Sequence, residues 1–302
     1  MDRKLDAKIN IGISACQIGS KIKDDYKGWD MPGYLKRERD MFNWHPVCLE
    51  VMSGLGVSRN FVRLAKGNGG DFWDRNTDVK NSDEEILNYE IKSGMSICLD
   101  FLKSVNADVF IYMEGSPSCG VHRTTLKDRG IEKPFDIFSS LLLKEKIFII
   151  PALDLQSPLK WWDWRRRMYA YVWLKNKNFS KPSEIYKIWH ILKFLVQEIN
   201  RKKADEIGKK LAVIKDFSET EKQEIKDQIL SLLREPSTTE KIKNMLWKNY
   251  KHLYKKYGLS LENIMEPNEE RNIIHIVEEI LELEKKDELE ELFFGSSPIK
   301  NF

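Results

Sequence analysis

The sequence predicts an α/β domain, a mostly parallel sheet with helices on both faces in Rossmann-like fashion, followed by an all-α C-terminal domain. Two observations set the class. Short apolar runs alternate with helix-patterned stretches through the first half, and beyond residue 180 the pattern is helical throughout. A third separates the parts by charge. Residues 1–164 carry 23 basic and 24 acidic side chains, residues 165–256 carry 23 and 11, and residues 257–302 carry 4 and 12. A basic block followed by an acidic tail favours a polyanionic partner such as nucleic acid.

The elements follow in order. INIGISAC (9–16) reads as a strand and PGYLKRERDMFNW (32–44) as a helix opened by Pro32 and Gly33. HPVCLEV (45–51) reads as a short buried strand, with a glycine-rich polar stretch from Ser53 to Asn81 behind it. SDEEILNYEIKSGMSICLDFLKSVN (82–106) predicts a helix, with Ser82 and Glu85 spaced as a capping box. The strand ADVFIYME, the helix PFDIFSSLLLKEK and the strand IFIIPALDL complete the alternation. The aromatic-rich LKWWDWRRRMYAYVWLK precedes NKNFSKPS (176–183), which reads as a linker with a helix start at Ser183. The expected domains are therefore 1–178 and 180–302. Four helical stretches fill the second, with further capping boxes at Ser218/Glu221 and Ser237/Glu240.

Several classes drop out. No stretch approaches the roughly 20 apolar residues that span a bilayer, so no membrane partner is expected. The opening MDRKLDAKIN is charged and lacks the apolar block of a secretory signal. Four cysteines in 302 residues do not resemble a disulfide framework. A reducing cytoplasm is the expected setting.

The cysteines carry the chemistry. Cys16 ends the first strand, Cys48 lies where the second gives way to a glycine-containing loop, and Cys119 follows the strand 109–112 after the turn SPS. If the strands are parallel, all three thiols emerge at one carboxyl edge, where open α/β sheets bind ligands. Cys98 sits in a helix among Ile97, Leu99 and Phe101 and is expected to be plain core. Three converging thiolates suggest a metal with one position left open, since closed iron–sulfur clusters and structural zinc take four ligands. Three unrelated buried cysteines is the plain alternative. A Cys3His zinc site completed by His45 or His122, each three residues from a cysteine, is the rival chemistry.

The local words narrow this. SACQIG (14–19), VCLEV (47–51) with GLGVSR (54–59), and GSPSCG (115–120), in that order and spacing, resemble the thiouracil desulfidase family. The similarity continues through RRRMYAYVW into the helical half, which resembles the C-terminal domain of fused desulfidases acting on 4-thiouridine in tRNA. The resemblance implies a [4Fe–4S] cluster held by Cys16, Cys48 and Cys119, with one iron not ligated by protein and free to take a thiocarbonyl sulfur. It implies a hydrolytic reaction without net electron transfer, so no nicotinamide or flavin is expected, and no G-x-G-x-x-G follows the first strand. It implies Glu50 as general base and Ser116 in proton handling. Asp25, Ser14 and Ser118 are implied near substrate or cluster. Glu50 could otherwise be a surface loop residue, and SPS simply good turn chemistry. The expected substrate is thiolated pyrimidine, 4-thiouridine in tRNA first. Free thiouracil or thionucleotides are the alternative, and a non-catalytic metal-containing nucleic-acid-binding protein is the rival of another class.

The chain departs from the family pattern at Leu49, where proline is usual, at Lys23-Asp24, where arginine-tyrosine is usual, and over its acidic last 45 residues. His190, His252 and His275 read as ordinary helix residues. Trp161, Trp162, Trp164 and Trp173 either pack a domain junction or stack on bases. Arg165-Arg166-Arg167 is either a phosphate contact or a solvated face. Lys202, Lys203, Lys209, Lys210, Lys248, Lys251, Lys255 and Lys256 are the expected phosphate-facing cations.

Overall fold

The computed structural model describes residues 2–20, 28–57, 62–67, 69–113, 137–179, 181–213, 217–256, 270–286 and 298–299. Two compact units emerge, Lys8–Gln156 and Ser157–Phe302 together with Met1–Ala7.

The first unit runs β1 (Ile9–Ser14), β2 (Phe42–Val47), α1 (Leu49–Met52), β3 (Arg63–Leu64), α2 (Gly69–Trp73), β4 (Val79–Lys80), α3 (Asn88–Ser104), β5 (Val109–Tyr112), α4 (Ile137–Lys144) and β6 (Phe148–Pro151). Four strands form a parallel sheet in the order β2-β1-β5-β6, flanked by helices. Parallel strands are covered on both faces, which is why their sequences are nearly continuous apolar runs. Ile11, Ile13, Val109 and Ile111 are wholly buried. One core gathers Ile91, Met95, Cys98 and Leu102 of α3 with Phe110 of β5 and Phe138 and Leu142 of α4. The short antiparallel pair β3–β4 falls in the glycine-rich polar stretch from Ser53 to Asn81.

Local expectations shift where side chains find better partners. The stretch from Pro32 to Met41 is a 3-10 segment broken at Lys36, whose φ is +51°, rather than an α-helix. β2 then begins at Phe42, three residues before the expected strand. Helix α3 begins at Asn88 and not at Ser82. Asn81 takes the turn instead, its Oδ1 accepting from the Asp83 and Glu85 N–H groups at 2.9 and 3.0 Å. An asparagine side chain closing its own turn outcompetes the helical cap.

The second unit contains α5 (Pro158–Lys175), α6 (Pro182–Ile199), α7 (Arg201–Val213), α8 (Glu219–Leu233), α9 (Thr239–Lys256) and α10 (Glu270–Lys286). Its boundary falls before α5, some twenty residues earlier than the polar stretch 176–183 suggests. Helix α5 is buried on all sides and packs against α8, α9 and α10 of its own unit, so it is the unit's central helix and not a connector. Trp161, Trp162, Trp164 and Trp173 are buried within it. The single helical pattern across 184–214 is two helices, parted at Asn200, whose backbone is extended (φ −152°, ψ 94°). The Ser218/Glu221 capping box forms as expected, with reciprocal bonds of 3.2 and 2.9 Å. At the start of α9, however, Thr238 makes the cap, its Oγ1 accepting from the Lys241 N–H. Ser237 is occupied by Arg167.

The arginine triplet is neither a phosphate contact nor a solvated face. Arg165, Arg166 and Arg167 are all buried. Asp163 receives Arg166 at 2.8 Å and Arg167 at 2.6 Å. Arg166 also pairs with Glu198 and lies 4.2 Å from the Trp162 ring centroid, while Arg167 donates to the Glu235 carbonyl. A one-turn spacing puts Asp163 directly under both guanidinium groups, and planar forks match a shared carboxylate. The exposed cations of this unit include Arg201 and a set of lysines. Lys202, Lys203, Lys209 and Lys210 stand out from α7, and Lys248, Lys251 and Lys255 from α9. Lys203 also meets Glu235, and the Lys256 side chain lies outside the described set. His190, His252 and His275 are exposed positions on helices, as anticipated. No helix among the described residues is long and apolar enough to cross a membrane.

Candidate functional site

In the order β2-β1-β5-β6 the chain reverses direction of travel across the sheet between β1 and β5. The crevice outside the carboxyl ends of strands at such a switch point is where open α/β sheets bind ligands. Ser14 of β1 and Val47 of β2 are partners in register at that edge. Cys16 follows Ser14 in a 3-10 turn, Ala15–Gln17, and Cys48 follows Val47 as the residue that caps α1. Both thiols are half-buried. The parallel register therefore brings two of the three expected cysteines to the same edge. Cys119, Ser116, Ser118, Asp25 and His122 lie outside the described residues.

Glu50 sits half-buried in the first turn of α1, two residues beyond Cys48. That single turn is held close to α3 because α3 has no side chain at Gly94. A Cβ there would come within 2.1 Å of the Ser53 hydroxyl and 2.6 Å of its backbone nitrogen. Ser53 in turn donates to the Leu49 carbonyl at 2.8 Å, closing the turn. Gly94 thus fixes where Cys48 and Glu50 stand.

Around Cys16 the polar atoms are unusual. Ser14 is buried, and its hydroxyl meets no partner among the described residues. Gln17, fully buried, donates through Nε2 to Cys16 Sγ at 3.7 Å and to Met113 Sδ at the exit of β5. Its Oε1 meets no partner among the described residues. Leaving buried acceptors unmatched is costly, and two such atoms stand beside Cys16.

Cys98 differs, as expected. It is 1% exposed in the core, and burial, with a smaller push from the nearby Cys48 charge, drives its thiol up to about 12. Such a group stays protonated and inert. His45 does not face the cysteines: its Nε2 lies 3.2 Å from Asn10 Oδ1, near the start of β1, and its ring packs edge-on against Phe101. The zinc alternative loses that histidine. Sequence reasoning missed Gln17 and Gly94. The signal for Gln17 was its position beside a cysteine at a strand end; the signal for Gly94 was a glycine inside an otherwise strong helix.

Two half-buried thiols and two buried, unmatched polar atoms thus share the carboxyl edge of a parallel α/β unit. More particularly, residues 11–152 match the family model described as 2-thiouracil desulfurase. None of the curated proteins matches. Among solved structures, a [4Fe-4S]-dependent thiouracil desulfidase, TudS, aligns over 48% of this chain and 91% of its own, with 20% identity and a TM-score of 0.38.

Proposed function

We propose that the chain is a [4Fe–4S]-dependent desulfidase that hydrolyses the C=S bond of a thiolated pyrimidine, 4-thiouridine in tRNA being the substrate. The observation that carries this reading is the pair of half-buried thiols, Cys16 and Cys48, on neighbouring parallel strand ends in a unit that matches the 2-thiouracil desulfurase family model. The donor chemistry fits a sulfur-rich group: soft thiols with a buried hydroxyl and a buried carboxamide beside them. Cys16, Cys48 and Cys119 would hold the cluster. When bound, it supplies a thiophilic iron with a coordination position that the protein leaves open.

The chain's own residues do the rest. In the overall reaction water adds at the ring carbon, oxygen takes sulfur's place and sulfide leaves, so no electron acceptor is needed. Glu50, held beside Cys48 by the α1–α3 contact, takes the proton from water. Ser116 relays a proton, and Ser14, Asp25 and Ser118 orient the ring. Ser14 is suited to that role because its buried hydroxyl has spare hydrogen-bonding capacity among the described residues. The helical unit is the RNA grip, its lysines on α7 and α9 meeting phosphates. Each phosphate neutralised steepens log affinity against log salt by roughly 0.7 to 0.9.

The test is to reconstitute the protein without oxygen, incubate it with bulk tRNA and measure loss of 4-thiouridine together with sulfide released. Glu50→Ala should keep the brown colour and lose turnover by two or more orders of magnitude, roughly what a general base contributes. A colourless protein carrying zinc sinks the mechanism. Flat salt dependence with tRNA removes the helical unit from RNA binding.

A further inference from the structure

A cleft of 540 Å3 opens beside the cysteine edge, lined by Trp29, Tyr34, Asp30, Leu153 and Gln156 among others. We propose that it is a nucleobase subsite that takes the base next to the thiolated one, so that the preferred substrate is a thiolated nucleotide within a strand. This rests on the desulfidase reading above and extends it to the substrate's neighbouring residue.

Position is the first support. The Trp29 N–H donates to the Cys16 carbonyl and the Gly19 N–H donates to the Trp29 carbonyl, both at 2.8 Å. The Met31 N–H donates to the Gln17 carbonyl, also at 2.8 Å. The cleft wall is therefore stitched to the turn that carries Cys16. Its other side comes from the 3-10 turn Ala152–Gln156 that leaves β6 at the same edge of the sheet. Gly28 allows this closeness, since a Cβ there would lie 2.6 Å from the Gly19 backbone.

Chemistry is the second. Trp29 is 39% exposed and Tyr34 56%, two aromatic residues open to solvent along one cleft. The unit buries Phe72, Phe110, Phe138 and Phe148 almost completely, so these exposed rings are not spare core. Every base has a π-face, and stacking on aromatic side chains is tolerant of sequence. The rim supplies edge partners. Asp30 is half-exposed and steadied by Arg39 at 3.3 Å and by the Gly33 N–H at 3.2 Å, so its carboxylate can accept from a base N–H. The Gln156 carboxamide, whose Nε2 lies 3.5 Å from Met31 Sδ, offers a carbonyl oxygen. A flat ring with N–H groups on its edge satisfies both. The volume falls in the range of small-molecule pockets, about 300–1,000 Å3.

The experiment uses the full chain and a trinucleotide carrying 5-bromouridine beside its central uridine, irradiated and mapped by tandem mass spectrometry. Adducts on Trp29 or Tyr34 are expected. Tyr89, 81% exposed on α3, is the internal control for random capture. Adducts on Tyr89 or elsewhere, with neither cleft aromatic modified, overturn the proposal. In a second measurement, kcat/KM for a thiolated trinucleotide is divided by that for the free thiolated base. Trp29→Ala and Tyr34→Ala should each lower this ratio by roughly ten- to a hundredfold, the range one stacking contact gives. A ratio equal to wild type in both variants also overturns it. If the wild-type protein releases no sulfide from either substrate, the desulfidase reading fails by itself and the crosslink map still decides the cleft.

Discussion

The two units bury polar groups of different kinds. At the carboxyl edge of the sheet, Ser14 and Gln17 are buried with acceptor atoms unmatched among the described residues. In the helical unit, the most deeply buried charges are matched to one another, Asp163 serving Arg166 and Arg167 at once, with Glu198 beside them. Single atoms stay unmatched among the described residues of both, Arg167 Nε and Trp162 Nε1 included, but in the helical unit the buried charge itself is balanced by carboxylates. The cations divide too, although Arg201 of α7 is exposed and Lys222 of α8 is buried. The arginine-rich run is internal, while the lysines of α7 and α9 stand in solvent. A guanidinium gives up hydration more readily and fits a shared carboxylate, whereas an ammonium holds its water.

The comparison breaks first at the cysteines. Cys16→Ser and Cys48→Ser should each abolish the brown colour and all turnover, measured as iron per chain and sulfide released. Cys98→Ser should keep both and lower only the melting midpoint. Loss of iron in Cys98→Ser with retention in Cys48→Ser would show that the sheet edge is not the site.

The next effect lies in the helical unit. Asp163→Ala leaves buried Arg167 without its carboxylate and Arg166 with Glu198 alone, and breaking such a buried pair costs about 3–5 kcal/mol, read from the urea midpoint. Replacing Lys209 and Lys210 by Ala should leave that midpoint within about 0.5 kcal/mol, as surface changes do. A mild Asp163→Ala would mean that water reaches the arginines.

Gly94→Ala sharpens the site. The added methyl meets Ser53 backbone, so α1 must shift, at about 1–3 kcal/mol for overpacking. Turnover should fall more than stability, because Cys48 and Glu50 ride on that turn. An unchanged kcat would detach Glu50 from the chemistry.

The smallest effect is a matter of pH. Hydrogen bonds from the Ser218 side chain and backbone hold the Glu221 carboxyl below the usual carboxylate value of 4.5. A group depressed in the fold adds stability above its unfolded pKa and loses it as pH falls through the folded one. Stability should therefore decline below about pH 4.5, and Glu221→Gln should flatten that part of the urea midpoint's acid slope. Parallel curves would show that the cap does not form in solution.

Much of this protein was legible without coordinates. Alternating apolar runs announced the parallel sheet, since buried strands need them on both faces. Cys16 and Cys48, at the ends of two strands, announced a shared edge, because parallel strands deliver their exits to one side. Ser218 and Glu221 announced their cap, since its partners lie three residues apart. What depends on distant partners could not be read. Whether Arg166 faces a phosphate or a carboxylate turns on Glu198, thirty-two residues away. Whether Ser82 or Asn81 closes a turn is decided by competing local hydrogen bonds, and Ser237 loses its capping role to Arg167 from another helix. The placement of Glu50 rests on a missing methyl group at Gly94. Pattern reports which face of a segment is apolar; only packing decides what each polar group finds when it arrives.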